Sequence, residues 1–76
     1  MVTVYTLPVC QKCDQTKTLM RREGIIFNEV DLSEDDEARE YVRDWLGFRQ
    51  APVVETHEDA WSGFQPDLIR RLAAEE

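Results

Sequence analysis

The chain has 76 residues, of which 42% are hydrophobic and 33% charged, with a formal net charge of −7. A chain this short makes a single domain, residues 1–76, and buries only about 60–65% of the surface it exposes when unfolded, while its patterned apolar fraction excludes a disordered tail. Its apolar runs reach three residues at most (25–27 and 72–74), where a membrane helix needs about 20, and sixteen acidic against nine basic side chains argue against nucleic acid as a partner.

The basic residues are expected to form no patch, since Arg21–Arg22 and Arg70–Arg71 both have acids beside them. The acid excess reads either as solubility or as complementarity to a partner with a positive docking face.

Residues 2–6 (VTVYT) alternate with period two and open the domain as a strand that Pro8 ends. A secretory leader would instead start with a basic segment and an apolar stretch of about 7–15 residues. The expected compartment is therefore the cytoplasm, where thiols stay reduced. Residues 11–23 carry good helix formers, with Asp14 in the first turn, Arg21 and Arg22 in the last, and Gly24 as the C′ residue. Cys13, Thr16, Leu19 and Met20 share one face.

Residues 25–32 (IIFNEVDL) predict a second strand. Ser33 reads as an N-cap with Asp36 at the third position, opening a helix over 34–46. Ala38, Tyr41, Val42, Trp45 and Leu46 form its apolar stripe, and Gly47 closes it. Pro52 opens a strand containing Val53 and Val54. Residues 57–59 read as a turn, and Ala60 and Trp61 start the return strand of a hairpin. Pro66 fits the first position of a last helix, with Leu68, Ile69, Leu72 and Ala73 on one face. The order β-α-β-α-β-β-α makes the first two strands parallel and places helices on both faces of a small mixed sheet.

One motif carries chemistry: Cys10-Gln11-Lys12-Cys13, between the first strand and the first helix. A C-x-x-C beside a βαβ pattern reads as a thioredoxin-like redox site. Cys10 at the helix entrance faces unpaired N–H groups, which favour a thiolate, and Cys13 one turn on comes within disulfide reach. Three other readings compete. A structural disulfide closing so short a loop constrains the unfolded chain little. A structural zinc site wants four ligands, against two cysteines and one histidine here, and His57 lies in a predicted turn as a solvated residue. The third is a pair of ordinary core cysteines. On the redox reading Cys10 is the nucleophile and Cys13 the more buried resolving thiol.

These residues resemble the thioredoxin and glutaredoxin superfamily, and more narrowly the NrdH-redoxin family, the glutaredoxin-like electron donors of class Ib ribonucleotide reductase. The resemblance spans nearly the whole chain. It rests on Val4-Tyr5-Thr6 leading into Cys10-x-x-Cys13, on Phe48-Arg49-Gln50-Ala51-Pro52-Val53-Val54, and on the more specific Trp61-Ser62-Gly63-Phe64-Gln65-Pro66. It implies a thioredoxin-like fold of glutaredoxin type, a four-stranded mixed sheet flanked by three helices. It further implies that Gln11 and Lys12 flank the reacting sulfurs and that Pro52 is a cis-proline beside the site, with the Ala51 backbone pairing with a substrate strand. Trp61, Ser62, Gly63 and Phe64 would form a loop near the dithiol, with Phe64 in the docking surface, although ordinary core is an equal reading for Trp61 and Phe64.

By the same resemblance, thioredoxin reductase supplies the electrons and the large subunit of class Ib ribonucleotide reductase receives them. The protein would act as a monomer with no cofactor beyond the Cys10–Cys13 disulfide and no metal, and NADPH would enter only through the reductase. The alternative is a glutaredoxin using glutathione or another low-molecular-weight thiol. For that, Lys12, Arg49 and Asp67 are the available anchors, but the Gly-Gly turn of typical glutaredoxins is missing and Phe64 stands in the loop. A non-enzymatic reading is a docking module, or a subunit bridging an iron–sulfur cluster through Cys10. Two departures from the family pattern are Gln65, where a basic residue is frequent, and Gln11-Lys12 between the cysteines.

Overall fold

The computed structural model describes residues 1–75, and Glu76 lies outside the described residues. Strand β1 (Val2–Thr6) leads into helix α1 (Gln11–Arg22) and strand β2 (Phe27–Asp31). Helix α2 (Asp36–Glu40) continues into a π-helical turn (Tyr41–Leu46), followed by β3 (Val53–Glu55), β4 (Ala60–Ser62) and α3 (Pro66–Glu75). The sheet order is β2-β1-β3-β4, with β1 parallel to β2 and the other two pairs antiparallel. This is the four-stranded mixed sheet with helices on both faces that the sequence predicts.

Alternation along β1 sorts the core into two layers. Val2 and Val4 pack with Met20, Ile25, Val54, Trp61 and Ile69 on the face covered by α1 and α3. Tyr5 packs with Leu32, Val42 and Val53 on the opposite face, under α2 and the π-helical turn. The Tyr5 hydroxyl donates to Glu55 Oε1 at 2.9 Å, and the Tyr41 hydroxyl donates to Glu55 Oε2. These two bonds tie the π-helical turn to the sheet. Burial, and then the bond to Glu55, pushes the Tyr5 hydroxyl pKa far above the ordinary tyrosine value.

The first helix ends as its sequence signals. Gly24 takes φ +75, its N–H donates to Arg21 O, and the Ile25 N–H donates to Met20 O. That pair of bonds is the Schellman motif, which needs a left-handed residue at C′. It also explains why β2 starts at Phe27 rather than at residue 25. Ile25 is committed to closing the helix and buries its side chain, while Ile26 is exposed.

Two expectations for the second helix are corrected. Ser33 is not the N-cap: its N–H and hydroxyl both donate to Asp31 Oδ1, at 2.9 and 2.7 Å. The side chain is thus held in the turn leaving β2. Asp35 caps instead, its carboxylate accepting from Ala38 N at 3.0 Å. Trp45 leaves the apolar stripe and is 83% exposed. From Tyr41 onward the helix changes to i→i+5 bonding. The wider turn rotates residue 45 away from Val42, beside which an α-helical wheel places it.

The two candidate caps separate in one measurement. Asp35→Ala should lower the urea-unfolding free energy by about 1 kcal/mol, whereas Ser33→Ala should change it by less than half as much.

Candidate functional site

Tyr5 pairs with Val53, and Val53 with Ser62. The chain leaving β1, the chain entering β3 and the chain leaving β4 therefore meet at one end of the sheet. All three sequence segments singled out above converge there.

Cys10 is the N-cap of α1, with extended backbone (φ −133, ψ 105). Its Sγ accepts from the Cys13 N–H at 3.1 Å, and its carbonyl accepts from the Asp14 N–H at 3.1 Å. Cys10 and Cys13 are joined by a disulfide, with Cα atoms 5.2 Å apart. Cys10 is half-buried, and Cys13 is 1% exposed. The helix thus divides the labour between the sulfurs. One sits at its open N-terminus, where unpaired amides favour an anion. The other lies one turn inside, on the face that also buries Thr16 and Met20. Gln11 and Lys12 are both exposed between them.

Before the dithiol, Leu7, Pro8 and Val9 form an exposed loop. Val9 takes φ +55 with its side chain fully in solvent. A left-handed β-branched residue is a strained backbone position, and nothing in the sequence announces it.

The Ala51–Pro52 peptide is cis, as the resemblance implies, and Pro52 is fully buried. The loop after β4 is fastened to this segment by two bonds. Ser62 Oγ donates to Gln50 O at 2.7 Å, and the Gly63 N–H donates to Pro52 O at 2.8 Å. Gly63 has φ +86, open to glycine and unfavourable to side chains. Gln65 donates from Nε2 to Ser62 O at 3.3 Å, so the residue that departs from the family pattern joins this same loop network. Trp61 belongs to β4 and is buried in the core. Phe64 is half-buried against that cluster and shares a surface groove with Gln11 and Asp14.

A polar cluster that the sequence reading missed stands behind the site. Glu29 Oε2 accepts from Thr6 Oγ1 and from Lys17 Nζ, both at 2.9 Å. Lys17 lies one turn after Cys13 and also reaches Asp14 Oδ1 at 3.8 Å. The Lys17 bond, helped by Thr6 and opposed by desolvation, holds the Glu29 carboxyl below the usual glutamate range. The spacing of Lys17 from Cys13 was legible, but its partner on β2 was not. Among the described residues no three His, Cys, Asp or Glu side chains gather as a metal site, and His57 is exposed beside Glu58.

Comparison with known proteins agrees with this geometry. The sequence profile of the glutaredoxin family matches residues 2–61. The glutaredoxin-like protein NrdH of Escherichia coli is 42% identical over 71 residues, covering 93% of this chain and 86% of that protein. NrdH of Lactococcus lactis is 40% identical over 73 residues, covering 96% of this chain and all of that protein. The solved structure of Escherichia coli NrdH-redoxin, described as having a thioredoxin-like activity profile, superposes with a TM-score of 0.89 over 93% of this chain and 92% of that one.

The Glu29 cluster makes an acid-side prediction. A carboxyl lowered on folding leaves the unfolded chain binding more protons. Its contribution is therefore full above the ordinary value of 4.5 and is lost as pH falls through the lowered folded value. Glu29→Gln should shrink the stability difference between neutral and acidic solution by up to about 1 kcal/mol, the scale of a partly exposed pair. Urea midpoints across the pH range read this.

Proposed function

The chain belongs to the glutaredoxin family, in its NrdH-redoxin branch, and we propose that it carries electrons from thioredoxin reductase to the large subunit of class Ib ribonucleotide reductase through the Cys10–Cys13 dithiol. The observation that carries this reading is the division between the two sulfurs. Cys10 sits at the open start of α1 with its Sγ on a backbone N–H, and Cys13 is buried one turn later.

The chemistry then runs in two exchanges. The Cys10 thiolate attacks one sulfur of the acceptor disulfide. A Cys10–acceptor S–S bond forms, the acceptor S–S bond breaks, and the departing thiolate takes a proton from solvent. Cys13 loses its proton and attacks Cys10 Sγ. The Cys10–Cys13 bond forms and the acceptor's second sulfur leaves as a thiol. Two electrons and two protons have moved to the acceptor, and the disulfide seen here is the spent form. Reduction by the reverse exchange, with NADPH consumed at the reductase, restores the carrier. No resident cofactor or metal enters the cycle, and the carrier works as a monomer in the cytoplasm.

Gln11 and Lys12 flank the reacting sulfurs in this role. Ala51, beside Pro52, offers its backbone to an acceptor strand. Ser62 and Gly63 hold that segment in place, Trp61 anchors the loop in the core, and Phe64 contributes to the docking face beside Gln11.

Two experiments test the reading. Cys13→Ser should accumulate a mixed disulfide with the acceptor, while Cys10→Ser should form none; turnover retained in Cys10→Ser would reverse the roles. Supplied with NADPH and thioredoxin reductase, the oxidised chain should reduce insulin. Turnover only with NADPH, glutathione and glutathione reductase would instead assign it to the glutathione-dependent members of the family.

A further inference from the structure

Beside the site lies a groove of about 300 Å³, running from Leu7 in the loop before Cys10 to Ala51 before Pro52. Leu32, Val42 and Phe48 form its apolar floor. Arg39, Arg43 and Arg49 line it. No acidic side chain does, in a chain that has sixteen. Three arginines scattered in the sequence thus meet on one groove, two of them each keeping an acid beside it. Arg39 and Arg43 are four apart across the junction of α2 and the π-helical turn, and the loop after Gly47 brings Arg49 to them.

Arg39 and Arg43 contact Asp36 and Asp44 at 2.7 and 2.8 Å. Both arginines remain about half exposed, and these contacts use only part of a five-donor guanidinium. Arg49 has no carboxylate within salt-bridge distance among the described residues. At the Pro52 end of the groove, Ser62 takes the Gln50 carbonyl and Gly63 takes the Pro52 carbonyl. No hydrogen bond engages the Ala51 backbone among the described residues, so it stays open to an added strand.

We propose that this groove is a specificity site for the acceptor: it seats an extended peptide segment that flanks the acceptor's disulfide and carries acidic residues with an apolar residue among them. The proposal rests on the dithiol reading above and names the chemistry of the acceptor. The overall charge of −7 repels acidic partners at long range, so the arginines act locally, by selecting and orienting the segment rather than by steering. A peptide pairing with Ala51 passes its side chains alternately down into the apolar floor and up toward the guanidiniums.

The test uses the pre-reduced full chain and three disulfide-containing peptides of equal length, with acidic, neutral or basic residues flanking the cysteines, plus the mixed disulfide of glutathione. Second-order rates of peptide reduction are measured at low salt and at about 0.5 M salt, where screening confines charge effects to a few ångströms. One exposed ion pair is worth up to about fivefold in an equilibrium constant. The triple variant Arg39→Gln/Arg43→Gln/Arg49→Gln should therefore lose about tenfold on the acidic peptide and under twofold on the neutral one. The wild-type preference for the acidic peptide should fade with salt. Arg49→Glu, a single change in a loop, should by itself move the preference toward the basic peptide. Equal rates for all three peptides, or equal slowing of all three by the variants, would overturn the proposal. So would a larger loss on the glutathione mixed disulfide than on the acidic peptide, which would make the groove a seat for a small thiol. If even the neutral peptide is not reduced by the wild type, the dithiol reading itself fails. If it is reduced without an acidic preference, only the groove assignment does.

Discussion

Tyr5 on β1 stands opposite Val53 on β3, and that antiparallel register decides where the chemistry sits. It brings the segment entering α1 alongside the segment that contains Pro52, at the one end of the sheet where β4 also finishes. A slip of one residue would turn Val4 out of its core layer and Tyr5 out of the other. It would also separate Glu55 from the Tyr5 hydroxyl, which fixes the register from the side chains. The dithiol, the Ala51 backbone and the Gly63 loop are neighbours only because this pairing holds.

What the sequence made legible was whatever a local rule could read. Alternation over residues 2–6 gave β1 with its observed bounds, and Gly24 marked the end of α1 because only a left-handed residue suits that position. Pro66 began α3 as its missing N–H permits. The Cys10–Cys13 spacing stated both the chemistry and the relative burial of the two sulfurs. Failures came where a residue had two possible partners. Ser33 is a good cap by type, but Asp31, two residues earlier, captured its hydroxyl. Trp45 fits an α-helical stripe, but the helix did not stay α-helical. The positive φ of Val9 and the Lys17–Glu29 pair depend on distant chain segments, and no short window contains them.

Charge shows the same distinction between composition and placement. The total of −7 is a sum over the surface and says nothing of how the two signs are distributed. Folding puts Arg39 and Arg43 on one side of a helix, each beside one aspartate, and adds Arg49 from a loop, while no acidic side chain lines the groove between them. An acidic protein thus presents an arginine-lined groove that reaches the loop leading into Cys10. Lys17 follows the same logic in miniature, drawn between Asp14 on its own helix and Glu29 on β2.

The widened helical turn after Tyr41 leaves the two tryptophans in opposite surroundings: Trp61 is 8% exposed inside the core and Trp45 is 83% exposed. An indole's emission shifts to shorter wavelength in an apolar environment, so the molecule contains two optical probes with separate domains of report. Trp61, on β4 and packed with Met20 of α1 and Ile69 of α3, follows the integrity of the core. Trp45, on the same turn that supplies Arg43, is already solvated whether the chain is folded or not, so a change in its emission marks something arriving at that surface.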